Sequence, residues 1–133
     1  MMKHTILILF LFLSLLCHGQ SYKFFTTDRE LSSSLINKIY QDRNGMIWIA
    51  TEDGLNRYDG AKFITYKHDP ENEYSLCHNY VRVLYEDSKG RLFVGTYNGI
   101  QLYDPETDSF SARAQWEDGK TFDSNIMSIL ERR

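Results

Sequence analysis

Short apolar segments separated by turn-forming residues recur along most of this chain. The runs Ile47–Thr51 and Leu92–Thr96 are apolar and rich in β-branched and aromatic residues, a pattern typical of strands buried on both faces. Each run is followed closely by Asp53-Gly54 or Asn98-Gly99. Such dipeptides between apolar segments indicate a β-hairpin, because a type I′ turn needs positive φ at both central residues. The pattern predicts antiparallel β-structure.

The pattern also repeats with a period of 45 residues. A third copy begins near Ile126 and Ile129, which stand one period after Val81 and Leu84. Each copy reads as four short strands linked by tight turns, which is typical of a propeller blade of about 40–45 residues. The residues that recur identically are Tyr40 and Tyr85, Asp42 and Asp87, Gly45 and Gly90, Thr51 and Thr96, Gly54 and Gly99, Tyr58 and Tyr103, and Asp59 and Asp104.

The prediction is therefore an all-β fold: β-propeller blades, each a four-stranded antiparallel sheet, in an incomplete propeller of about two blades and the start of a third. A blade cannot bury both faces alone, and closed propellers have about four to eight blades. We therefore expect the amino-terminal piece of a longer protein. The predicted units are a signal peptide at 1–19, an N-terminal strand that completes the last blade at 20–33, blades at 34–77 and 78–122, and the start of a third blade at 123–133.

The first residues predict export to the periplasm. The apolar run from Ile6 to Leu16 follows Lys3 and is shorter than the roughly 20 residues that a membrane-spanning helix needs. A basic start, a short apolar run and small residues predict a signal peptide cleaved between Gly19 and Gln20. Two alternatives stay open: a lipoprotein processed at Cys17, and an uncleaved membrane anchor.

Composition and charge exclude several classes of protein. The net charge of −3 gives no electrostatic support for nucleic-acid binding, and two cysteines cannot make a disulfide scaffold. We find no zinc-type spacing, phosphate loop or nucleophile elbow, and so expect no catalytic residue, metal or cofactor. Cys77 is expected to be a small buried apolar group.

Positions at which the two copies differ are the better candidates for ligand contacts, because the recurring positions maintain the fold. Glu52 and Tyr97 occupy the same turn in successive copies, and Arg57 and Leu102 occupy the same strand position. We take Glu52, Arg57 and Tyr97 as candidate ligand contacts, with solvated loop residues as the alternative interpretation. The recurring aromatic residues are expected in the core between blades. Ala50 and Gly95 are expected to allow a close approach of neighbouring backbones near the propeller axis.

The stretches from Ile47 to Gly60 and from Leu92 to Pro105 closely resemble the two-component regulator propeller repeat. The second departs mainly at Phe93, where the family usually has tryptophan. The resemblance implies the periplasmic sensor region of a hybrid two-component histidine kinase anchored in the inner membrane. It also implies an oligosaccharide or other small ligand, the remaining blades of the parent chain as neighbours, and a homodimer of the full-length sensor. No kinase motif occurs in these residues, so this chain itself is not expected to be an enzyme. The alternatives are a secreted polysaccharide lyase or glycosidase, and a protein-interaction scaffold.

Overall fold

The computed structural model describes residues 21–26, 30–112, 114, 119–120 and 125–130. The expected signal peptide, with its cleavage between Gly19 and Gln20, and Cys17 lie outside these residues. Within the described ranges, no helix has the length and apolar character required to cross a membrane.

The described strands form two antiparallel sheets of four strands each, which confirms the predicted fold class. We call them the first and the second blade, and in each the strands lie side by side in chain order. The first blade contains β1 (Ile36–Gln41), β2 (Ile47–Thr51), β3 (Gly54–Tyr58) and β4 (Phe63–Tyr66). The second contains β5 (Val81–Glu86), β6 (Leu92–Thr96), β7 (Gly99–Asp104) and β8 (Ser109–Phe110).

The predicted hairpin at Asp53-Gly54 is present, but its turn is not type I′. Thr51 pairs with Gly54, so the central residues are Glu52 and Asp53. Among the described residues, Asp108 is the sole non-glycine residue with positive φ, so neither central residue has one. Instead the Thr51 hydroxyl accepts from the Asp53 amide at 3.1 Å and donates to the Gly54 carbonyl at 2.9 Å. The hydrogen bonds of the Thr51 hydroxyl thus stabilise this turn without the two positive φ values that a type I′ turn needs.

The two blades pack face to face through β1, β2 and β5. The recurring aromatic residues Trp48 and Tyr103 are buried there, 1% and 8% exposed, and their rings meet edge to face at 4.7 Å. This agrees with the expected aromatic core between blades. The buried apolar cluster comprises Trp48, Ala50, Leu55, Leu76, Val81, Leu84, Leu92, Val94, Tyr103 and Phe110.

Residues on either side of the two blades also contact them. Phe25 packs on Tyr58 and Phe63 of the first blade, with ring centroids at 5.1 and 4.9 Å, although no strand is assigned to residues 21–26. At the other side, the Ile126 amide donates to the Thr96 carbonyl at 3.1 Å. The boundaries expected from the sequence stay predictions.

The environment of Gly95 is crowded, but the nearest atoms belong to side chains and not to the neighbouring backbone that was expected. A Cβ built on Gly95 would lie 2.9 Å from Ile126 Cγ2 and 3.0 Å from Val83 Cβ. Even an alanine at this position would therefore crowd the residue that begins the third copy.

Candidate functional site

The turn between β2 and β3 lies beside the segment that connects the two blades. The Gly54 amide donates to the Asn79 carbonyl at 2.7 Å, and the Asn79 side chain donates to Asp53 at 3.2 Å. The corresponding turn of the second blade contains Tyr97, whose amide donates to the Tyr80 carbonyl at 3.0 Å. We call this group of residues the turn cluster: Glu52, Asp53, His78, Asn79, Tyr80 and Tyr97.

Tyr80 joins two of the candidate ligand contacts. Its hydroxyl donates to Glu52 Oε1 at 3.0 Å, and its ring centroid lies 6.3 Å from that of Tyr97. The Arg82 guanidinium lies 5.7 Å from the centre of the same ring. The hydrogen bond to Glu52 and, after it, desolvation raise the pKa of Tyr80, so the phenol keeps its proton at neutral pH.

Tyr97 presents a largely exposed aromatic surface. Its side chain is 56% exposed and contacts the His78 ring at 5.6 Å. An exposed ring held between two other rings can stack on an apolar ligand face at little entropic cost. The Glu52 carboxylate can accept from hydroxyl groups, whereas Asp53 and Asn79 already bond to Lys67, to His68 and to each other. The turn cluster can therefore bind a polar ring compound that has one apolar face.

Two members of the turn cluster were missed by the sequence analysis. Tyr80 and His78 stand in the positions of Leu35 and Ser33 in the first copy. They therefore satisfy the criterion of non-repeating residues that selected Glu52 and Tyr97.

Arg57 lies away from the turn cluster. It pairs with Trp48 near the start of β2, whereas Glu52 follows the end of that strand. Its guanidinium donates to Asp108 Oδ1 at 2.8 Å and to the Tyr103 hydroxyl. The same group lies 5.6–5.7 Å from the ring centres of Trp48, Tyr66 and Tyr103. Arg57 thus connects the two blades, and the structure does not bring it together with Glu52 and Tyr97.

The groups around Arg57 form a hydrogen-bonded unit centred on Asp108. The hydroxyls of Tyr66 and Tyr103 donate to Asp108 Oδ1 at 2.5 and 2.7 Å. Desolvation opposes ionisation of Asp108, but these hydrogen bonds and Arg57 outweigh it and lower its pKa. Burial and the bond to Asp108 raise the pKa of Tyr103 to about 12. A permanently charged pair with neutral phenols indicates a structural junction, with no group poised for proton transfer near neutral pH.

The other carboxylates of the repeat that the structure describes in these turns stabilise them. Asp42 Oδ1 accepts from the amides of Asn44 and Met46 at 2.9 and 3.0 Å, and Asp87 makes the equivalent bonds in the second blade. Within the described ranges, no group of three or more histidine, cysteine, aspartate or glutamate residues could hold a metal ion. Cys77 is half-buried, and its Sγ lies 3.1 Å from Thr96 Oγ1. The thiol therefore has a polar neighbour and is not the small buried apolar group that was expected.

Comparison with curated proteins gives a match to a histidine kinase. Histidine kinase P4 of Formosa agariphila is 40% identical over 73 residues, which are 52% of this chain and 5% of that protein. The match therefore relates the chain to a small part of a much longer protein.

Comparison with solved structures gives extracellular domains from B. thetaiotaomicron. The extracellular domain of a hybrid two component system has a TM-score of 0.64 and 32% identity, over 77% of this chain and 15% of that chain. The extracellular domain of a one component system has a TM-score of 0.57 and 26% identity, over 71% of this chain and 14% of that chain. The chain thus spans about one seventh of the length of each of these solved domains. The family model of the two component regulator propeller matches residues 30–53 and 75–98, one stretch in each blade.

Proposed function

We propose that the chain is the N-terminal part of an extracytoplasmic ligand-sensing propeller that controls a histidine kinase and transcription. The parent protein would be exported to the periplasm and anchored in the inner membrane. The likeness to extracellular domains of regulators supports the setting. The observation that carries ligand binding is the exposed Tyr97 ring, held by His78 and Tyr80 beside Glu52.

The proposed ligand is an oligosaccharide. Sugar rings combine an apolar face, which stacks on an aromatic ring, with hydroxyl groups that need hydrogen-bond partners. The turn cluster offers both kinds of contact. We propose Glu52 and Tyr97 as ligand contacts. For Arg57, whose donors are engaged by Asp108 and Tyr103, we propose an indirect role through the spacing of the blades.

We also propose that residues 20–33 complete the last blade of the parent propeller. The support is the position of Phe25, which covers Tyr58 as Tyr66 covers Tyr103 in the second blade. Tyr66 belongs to the outer strand of the first blade, so Phe25 would belong to the outer strand of a blade that precedes it. The full-length sensor is proposed to act as a homodimer.

The test is ligand binding by the extracellular region of the parent protein. Calorimetry against oligosaccharides should show that Tyr97→Ala weakens binding about tenfold, equivalent to about 1.4 kcal/mol. Tyr74→Ala is the matched control, because Tyr74 is also 56% exposed but lies outside the turn cluster. Equal affinities for wild type and Tyr97→Ala would refute the proposed site. Depolymerisation of a polysaccharide would favour the secreted enzyme instead, and binding to a protein alone would favour the scaffold.

A further inference from the structure

His78 occupies a position at which both blades fix the backbone that leads into their first strand. In the first blade, the Leu35 amide donates to Ser33 Oγ at 3.1 Å. In the second blade, the Tyr80 amide donates to His78 Nδ1 at 2.9 Å. Ser33 and His78 stand one period of 45 residues apart, and the same is true of the two donors. The same bond is therefore made in each blade, once to a hydroxyl and once to an imidazole nitrogen.

This bond defines the protonation state of the His78 ring. A backbone amide can only donate, so Nδ1 accepts, and the proton of the neutral ring lies on Nε2. A proton added to Nδ1 would place two donors against each other and break the bond. Histidine is the side chain that ordinarily gains this proton between about pH 8 and 5. The Ser33 hydroxyl does not ionise in that range, so the equivalent bond of the first blade does not depend on pH in this way.

The backbone and side chain of Tyr80 connect His78 to both proposed ligand contacts. The Tyr80 carbonyl accepts from the Tyr97 amide at 3.0 Å, and the Tyr80 hydroxyl donates to Glu52 Oε1 at 3.0 Å. The His78 ring also contacts the Tyr97 ring, with centroids 5.6 Å apart. Loss of the bond at His78 Nδ1 would therefore loosen the residue that positions Glu52 and Tyr97.

The other groups around His78 do not change charge over the same range of pH. The charged and titratable groups in and beside the turn cluster are Glu52, Asp53, Lys67, Tyr80, Arg82 and Tyr97. Carboxyl groups ordinarily ionise near pH 4 and phenols and amines near pH 10. Glu52 accepts from Tyr80, and Asp53 accepts from Lys67 Nζ at 2.6 Å. His78 is therefore the member of the turn cluster whose charge changes between about pH 8 and 5.

A second histidine in the segment that connects the two blades, His68, has the opposite arrangement. Its Nδ1 lies 2.6 Å from the Leu76 carbonyl oxygen, which can only accept, so this nitrogen donates. Nδ1 keeps its proton whether the ring is neutral or charged, and the bond to Leu76 survives protonation. The two histidines thus differ in whether an added proton conflicts with the backbone group that they face.

We propose that His78 is a positioning residue that holds the turn cluster in its binding geometry only while its imidazole is neutral. Ligand binding by the turn cluster then weakens as pH falls from about 8 to 5. This role rests on the proposed ligand site, whereas the release of Tyr80 can be observed without any ligand.

Asparagine at position 78 would keep the acceptor and remove the titration. In the same connecting segment, Asn72 Oδ1 accepts from the Tyr74 amide, two residues further on, at 3.0 Å. His78→Asn should therefore keep the bond to the Tyr80 amide at every pH. His78→Ser, which copies the first blade, is a second variant with an acceptor that does not titrate. His68→Asn is the matched control, because it keeps a donor for Leu76 and leaves His78 unchanged.

Hydrogen exchange of the extracellular region of the parent protein, followed by mass spectrometry, tests the release of Tyr80. The measured quantity is protection, the ratio of intrinsic to observed exchange rate. In the wild type and in His68→Asn, protection of the Tyr80 and Tyr97 amides should fall about fivefold or more between about pH 8 and 5. In His78→Asn and His78→Ser it should not fall. Protection that is independent of pH in the wild type would overturn the proposal, and so would an equal loss in the His78 variants.

Calorimetry measures the consequence for binding, with the oligosaccharide that binds the wild type most tightly at about pH 8 as the probe. Its dissociation constant should rise about fivefold or more at about pH 5 in the wild type and stay constant in His78→Asn. An affinity that does not change with pH, although protection does, would overturn the proposal, because His78 would then not position the ligand contacts. If no oligosaccharide binds at either pH, the proposed function fails, and the exchange measurement alone decides whether neutral His78 holds the turn cluster.

Discussion

At the scale of single residues, Asp42 and Asp87 close the same turn but use their second oxygens differently. Asp42 Oδ2 accepts from Trp48 Nε1 at 2.8 Å. In the second blade phenylalanine replaces the tryptophan, and Asp87 Oδ2 accepts from Arg91 Nε at 2.7 Å. The Arg91 guanidinium also lies 5.4 Å from the Phe93 ring centre. The departure from the family pattern at Phe93 is therefore compensated at Arg91, which occupies the position of Met46.

This compensation predicts a favourable coupling between two substitutions in the first blade. Trp48→Phe should destabilise the fold, because it removes buried volume and leaves an Asp42 oxygen without its donor. Adding Met46→Arg should restore a donor and recover about 1 kcal/mol. Urea unfolding of the two single variants and the double variant measures the coupling. Strictly additive effects would contradict the explanation.

Asp42 and Asp87 are recognisable in the sequence as turn residues, because each is followed three positions later by a recurring glycine. The sequence does not identify the partners of their second oxygens, because a bond from Trp48 or Arg91 depends on side-chain direction. For the turn cluster, the exchange of Glu52 for Tyr97 was visible as a break in the repeat. Their connection through Tyr80 was not, because it depends on how the chain returns between the blades.

At the scale of elements, the turns on either side of β3 depend on glycine for different reasons. Gly54 has φ of +129°, and a Cβ there would lie 2.8 Å from the Tyr66 carbonyl oxygen. Gly60 has φ of +98° but no atom within 4 Å of a built Cβ. The first glycine is therefore required by conformation and by space, and the second by conformation alone.

Alanine substitutions at the two glycines should separate these contributions. Gly60→Ala should cost about 1 kcal/mol of unfolding free energy through backbone strain. Gly54→Ala should cost clearly more, about 2 kcal/mol or above, because the clash is with backbone that cannot rotate away. Chemical denaturation of both variants gives the comparison. An equal loss at the two positions would show that the nearby carbonyl is able to move.

The hairpins themselves were predictable because their glycines and flanking apolar runs are local signals. The turn type was not, since it depends on the hydroxyl of Thr51 competing for the backbone groups of Asp53 and Gly54. The local sequence therefore predicts where the chain reverses, whereas the turn type depends on a side-chain hydrogen bond.

At the scale of the whole molecule, the junction between the blades should depend on pH through Asp108. Its pKa in the folded protein lies below the unfolded value of about 3.9. A carboxylate of this kind contributes stability that is fully present above the unfolded pKa and is lost as pH falls through the folded pKa.

We therefore expect the melting temperature to fall as pH is lowered below about 4, and Asp108→Asn to flatten part of that decline. At neutral pH the variant should already be less stable, because Arg57 loses its counter-charge. Asp59→Asn is the control, since the pKa of Asp59 is also lowered but by bonds within one turn. Identical acid profiles for the two variants would contradict a special role of the junction.

The contact between Gly95 and Ile126 has a consequence for how such genes change. Ala50 and Val81 both belong to the buried cluster at the first junction, whereas the equivalent positions at the second junction are the smaller Gly95 and the larger Ile126. The two boundaries therefore fill equivalent positions with side chains of different size, although the overall repeat is the same. Unequal crossing-over that duplicated or exchanged one repeat would join halves that do not match, so neighbouring repeats are expected to be inherited as pairs.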